Sequence, residues 1–125
     1  MLLLISLTLT PSAMGATLTV DPSDSSAYAT IKGAIMAASS DDTIEVAPGT
    51  YSNCLDASGY DLTISSTDGS GSTTIDGQGT CEAAVAIQGG ETVTLTGFTI
   101  NNSNARGLYI DSSTVTIEDL VIENA

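Results

Sequence analysis

The sequence predicts an all-β fold, a parallel β-solenoid with one helix near its N-terminus and a last coil left open. Three observations carry this. The composition is that of short strands and tight turns, one internal segment repeats at a fixed period, and a helical pattern occurs once, ahead of all but the first strand. Hydrophobic residues make up 42% of the 125 residues and aromatics only 4%, so the apolar mass is Ile, Val, Leu and Ala set among Thr, Ser and Gly. β-branched residues favour strands, and Ser, Gly, Asn and Asp favour turns. So much apolar content also excludes a disordered acidic tail.

Elements follow in chain order. Ala16 to Val20 alternates apolar and polar residues and reads as a first strand. Asp21 to Ser26 is a loop. Ile31, Ala34, Ile35 and Ala38 then recur at helical spacing, with Thr30 placed to cap the helix and Lys32 off its apolar stripe. Ser39 to Asp42 ends it. Ile44 and Val46 resume alternation, Pro48-Gly49 turns the chain, and Leu62 and Ile64 repeat the pattern before a loop from Ser65 to Ser72. Later strands centre on Ile75, Val85–Ile87, Val93–Leu95, Phe98–Ile100, Leu108–Ile110, Val115–Ile117 and Leu120–Ile122.

The repeat decides between a solenoid and an ordinary sandwich. Shifted by 22 residues, Thr92, Val93, Thr94, Leu95, Phe98, Ile100 and Asn102 fall on Thr114, Val115, Thr116, Ile117, Leu120, Ile122 and Asn124. Val85 and Ile87 also fall on Leu108 and Ile110, with one residue of slack in the turn between. A fixed period of this size marks stacked coils. With three strand pairs per period and no helix between them, each coil should have three flat faces. Like residues then stack inward, the Thr94–Thr116 row faces out, and Asn102 and Asn124 form an amide ladder.

Charge bounds the partners. Fifteen acids against two bases, Lys32 and Arg106, give −13, and all of them follow residue 15. Such a surface repels nucleic acid and anionic membranes. Met1 to Leu9 is apolar apart from Ser6 and Thr8, Pro11 breaks the run, and Ala13-Met14-Gly15 offers small residues where a signal peptidase reads. Residues 1–15 are therefore expected to be a signal peptide cleaved before Ala16, although no Lys or Arg precedes the apolar run. The run is too short to span a bilayer of roughly 30 Å. Export predicts that the two cysteines, Cys54 and Cys81, are oxidised to each other. Their separation of 27 residues, about one coil plus the Ser65–Ser72 loop, places them on adjacent coils.

The stretch from Tyr28 to Tyr51 resembles the opening of bacterial secreted right-handed parallel β-helix proteins. Tyr28, Thr30, Ile31, Ala34, Ile35, Ala37 and Ala38 fit the first part of that pattern, and Asp42, Thr43, Ile44, Val46, Pro48, Gly49, Thr50 and Tyr51 the second. The resemblance implies that the helix caps the solenoid's N-terminal edge, leaving residues 16–125 as the cap and first coils. The same stretch resembles the start of pectin methylesterases, which share the architecture with pectate lyases. No residue here matches their catalytic positions, and Asn53 stands where the esterases usually carry an acid. Near the end, Phe98-Thr99-Ile100-Asn101 resembles one element of polymorphic outer-membrane-type repeats, without their Gly-Gly-Ala element.

Candidate chemistry is sparse. Asp41-Asp42 and Glu118-Asp119 are the paired carboxylates. Asp41-Asp42 sits at the helix exit and reads as turn chemistry, and adjacent residues of one strand point to opposite faces unless a corner intervenes. Arg106 could serve as a lyase base but reads as a solvated charge in an Asn-rich turn. With no His and two Cys, no zinc site is expected. Asp68-Gly69-Ser70-Gly71 and Asp76-Gly77 are oxygen-rich enough to make calcium a possibility, but lack the regular acid spacing of a calcium loop. No catalytic, cofactor or metal residue is assigned. The functional expectation is a secreted or cell-surface scaffold, adhesive or in contact with a polysaccharide. The alternatives are a carbohydrate-active enzyme with its site beyond residue 125, or a self-contained binding module.

Overall fold

A computed structural model describes residues 15–52, 54–57, 59–79, 81–101 and 103–123. Met1 to Met14, Asn102 and Asn124 lie outside the described residues, and with them the signal peptide and the Asn ladder.

The described residues form ten strands and one helix: β1 (Thr17–Val20), α1 (Ile31–Ala37), β2 (Asp42–Val46), β3 (Gly49–Ser52), β4 (Leu55–Asp56), β5 (Leu62–Ser66), β6 (Thr73–Asp76), β7 (Ala83–Gln88), β8 (Thr92–Asn101), β9 (Arg106–Asp111) and β10 (Thr114–Glu123). All strand pairs are parallel, and they stack into a β-solenoid of about four turns. One face runs β1, β2, β5, then the first halves of β8 and β10. A second runs β3, β6, then their second halves. The third is β4, β7 and β9.

The repeat is the register of the last two coils. Thr92 pairs with Thr114, Val93 with Val115, Leu95 with Ile117, Phe98 with Leu120 and Ile100 with Ile122. Val85 and Ile87 pair with Leu108 and Ile110. Inward positions therefore form continuous apolar rows, such as Ile44–Ile64–Leu95–Ile117 and Tyr51–Ile75–Ile100–Ile122. Each fully buried side chain contributes about 1.5–3 kcal/mol. The rows are sealed until the last coil: Leu95 is 0% exposed and Ile117 42%, so the end under β10 is open.

The helix covers the opposite end. Thr30 caps it, its hydroxyl accepting from the Gly33 N–H at 2.9 Å, and Ile31, Ala34 and Ile35 are buried in the common core. Lys32 is exposed, as its place off the stripe predicts.

Three details differ from the sequence reading. Strands β3 and β4 follow Pro48 without any gap in the pattern to announce them. The Tyr51 hydroxyl donates to the Ala47 carbonyl at 2.7 Å and closes that corner. The stretches around Val93–Leu95 and Phe98–Ile100 are one bent strand, as are those around Val115–Ile117 and Leu120–Ile122. The bend sits at Gly97 (φ 86°) and, one coil on, at Asp119 (φ 48°), where the left-handed backbone turns the strand while its ladder continues.

Candidate functional site

The third face carries an open groove of about 510 Å³. Small residues, Ala83 and Ala86, are among its lining. Asp56 pairs with Ala86 and Ala86 with Tyr109, so a methyl group separates a carboxylate from a phenol ring. Ala83 pairs with Arg106, and the Arg106 N–H donates to the Glu82 carbonyl at 2.8 Å. That pairing brings Arg106 Nη1 within 2.7 Å of Glu82 Oε1 and sets the guanidinium 5.2 Å from the Tyr109 ring centre. Arg106, read from sequence as a solvated turn charge, is thus half exposed but engaged by both a carboxylate and a ring.

The Cys54–Cys81 disulfide contributes to the lining of this groove. The cysteine Cα atoms are 5.7 Å apart on neighbouring coils, joining the approach to β4 with the approach to β7. Gln88 completes the polar lining.

The paired carboxylates do not converge on a common pocket. Asp42 closes the turn from Ser39, its N–H donating to the Ser39 carbonyl at 3.1 Å, and also opens β2; it is buried, its two oxygens accepting from the Ala16 and Ser39 N–H groups at 2.8 Å each. Asp41 is exposed in a left-handed conformation. Asp119 turns the β10 corner and accepts from the backbone N–H and hydroxyl of Ser70, at 2.9 and 2.7 Å. These bonds, the hydroxyl's first, hold its carboxyl below the usual carboxylate range. Glu118 belongs to the preceding face, beside Thr96.

The oxygen-rich loops hold themselves. Asp76 Oδ1 accepts from the Gln78 N–H, the Thr67 hydroxyl donates to Asp68, and Ser70 is taken by Asp119. Among the described residues no group of three or more acids, His or Cys stands together as a metal site. Among the described residues three buried side-chain oxygens have no hydrogen-bond partner: Thr73 Oγ1, Glu91 Oε1 and Ser103 Oγ. They lie on three separate segments, β6, the turn before β8 and the turn before β9. Among the described residues no helix is long and apolar enough to cross a membrane.

Fold and groove together define a helix-capped, three-faced parallel β-solenoid with a polar groove beside its disulfide. No family model matches the sequence, and no curated protein matches it.

Proposed function

We propose that this chain is the N-terminal part of an exported or cell-surface β-helix scaffold that contacts a glycan along its third face. The observation that carries this reading is the groove between Asp56 and Tyr109. An open trough with an aromatic ring, two carboxylates, an amide and a guanidinium suits a sugar, whose C–H face stacks on a ring and whose hydroxyls need donors and acceptors. The net charge of −13 favours neutral over polyanionic glycans. Export is supported by the apolar leader pattern and by the pairing of both cysteines, which an oxidising compartment permits. The resemblance of Tyr28–Tyr51 to bacterial secreted β-helix proteins points the same way.

The test is binding of the full-length protein to an array of neutral and uronic polysaccharides, followed by Tyr109→Ala and Arg106→Ala. The expected result is retention on neutral glycans, weakened at least tenfold by either change. Binding that neither change affects would place the contact elsewhere. Release of oligosaccharides during the assay would instead favour a carbohydrate-active enzyme whose catalytic coils lie beyond residue 125.

A further inference from the structure

The N-terminal edge of the solenoid holds a carboxylate in an apolar row. Asp42 pairs with Leu62 and Leu62 with Val93, both buried, and Asp42 itself is only 7% exposed. Both of its oxygens are used, Oδ1 by the Ala16 N–H and Oδ2 by the Ser39 N–H, at 2.8 Å each. Two backbone donors ease the burial of a charge but do not neutralise it. The chain has two basic side chains to offer. Arg106 is engaged with Glu82 on the third face, and Lys32 stands exposed on α1, beside Met36 and Tyr60.

We propose that Ala16 is the first residue of the working protein, and that its α-ammonium group is the counter-ion of Asp42. This rests on the export reading above. An external peptidase would hydrolyse the Gly15–Ala16 bond. The oxygen of water bonds to the Gly15 carbonyl carbon, the C–N bond breaks, and the new amine takes the proton of the new acid. Gly15 leaves as a carboxylate on the leader, and Ala16 is left as an ammonium. Its nitrogen already lies 2.8 Å from Asp42 Oδ1, so cleavage changes the charge of that contact without requiring the atom to move.

Two further observations fit. A side chain at residue 15 would overlap the Asp41 carbonyl, so only glycine fits at the position directly before Ala16. The Ala16 carbonyl accepts from the Thr43 N–H at 2.9 Å, so the residue that would carry the ammonium is also the first rung holding β1 on β2. A charge-assisted bond is roughly twice as strong as a neutral one. Removal of the leader therefore fastens the edge strand that starts the solenoid. The other acids of this edge, Asp41 and Asp61, are exposed, and the Asp61 carboxylate accepts from the Thr92 N–H.

The experiment uses the full-length protein, leader included, in an exporting host. N-terminal sequencing of the exported product should begin at Ala16. The product is then compared with the same protein purified with Ser-Gly left ahead of Ala16, each with and without Asp42→Asn. The expected result is a Tm about 2–4 °C higher for the Ala16 start, a difference that vanishes with Asp42→Asn. Should Asp42→Asn not fold, the wild-type product decides alone: its α-amine, methylated with ¹³C to keep its charge, should titrate well above the ordinary value of about 8. A different first residue overturns the cleavage site, and failure to export overturns the reading on which it rests. An Ala16 start with equal Tm values, a difference that survives Asp42→Asn, or an amine titrating at or below about 8 overturns the ion pair while leaving export intact.

Discussion

Asp119 grips Ser70 across 49 residues of chain, its two carboxylate oxygens accepting the serine's backbone N–H and hydroxyl. The contact spans an intervening coil, because Gly97 stands opposite Asp119 and has no side chain to block the way. The Ser66 hydroxyl fills that space from below, donating to the Gly97 carbonyl at 2.5 Å and accepting from the Gly69 N–H at 3.1 Å. Loop 67–72 is thereby fastened to the last coil.

The charge of Asp119 should make this loop pH-sensitive. Ser70 donates to the ionised form and holds the carboxyl below its ordinary value of about 4. The contact is therefore at full strength above about pH 4 and is lost as pH falls through the lower folded value. Protection of the Gly69–Ser72 amides, taken as exchange relative to the intrinsic rate at each pH, should fall below pH 4 in the wild type. In Asp119→Ala it should be low throughout. Asp119→Asn should be intermediate, since Asn keeps one acceptor and tolerates the left-handed corner. Exchange in Asp119→Ala as slow as in the wild type at pH 7 would refute the role.

Gly97→Ala tests the corner. The added Cβ would overlap Ser66 Oγ, and φ of 86° is strained for any side chain. The expected loss is about 1–3 kcal/mol by urea unfolding. Gly97→Ala combined with Ser66→Ala should recover part of it, because the overlap but not the strain is removed.

Cys54→Ser combined with Cys81→Ser should cost about 3–4 kcal/mol, the loop-closure value for a 27-residue separation. The double change should also loosen the groove that the two cysteines line and weaken glycan binding. Two free thiols found on labelling denatured, unreduced protein would show that the bond does not form.

The open end predicts self-association. Ile117, Val121 and Ile122 are 42%, 44% and 45% exposed beside the free edge of β10. Solenoid coils are stabilised by their neighbours, and a bare strand edge recruits others. A polypeptide of residues 16–125 alone should aggregate, and Ile117→Lys with Val121→Lys should reduce this, measured by light scattering. A wild-type fragment that stays monomeric and unfolds cooperatively would revive the small binding module.

Much of the architecture was legible because a solenoid writes its register into the chain. Val93 over Val115 and Ile100 over Ile122 are visible as a repeat because stacked coils present the same position to the same neighbours. Thr30 and the Ile31–Ala38 stripe announce the cap for the same local reasons. The cysteine spacing, set against the coil length, named the disulfide. One available signal was missed: Gly97 and Asp119 occupy the same place in the repeat, and both residue types suit a left-handed corner.

Only the tertiary structure decided what the isolated polar residues do. Asp42 lies inside because its row reaches the edge of the solenoid there, where the backbone donors of Ala16 and Ser39 replace an apolar neighbour. Arg106 is engaged because β9 stacks in register on β7, setting Glu82 and Tyr109 beside it. Asp119 finds Ser70 because a glycine leaves the path clear. Periodicity fixes which residues point inward, since apolar burial is a property of each position in the repeat. The partner of a lone charge depends on which turn of a neighbouring coil lies opposite, and no local pattern encodes that.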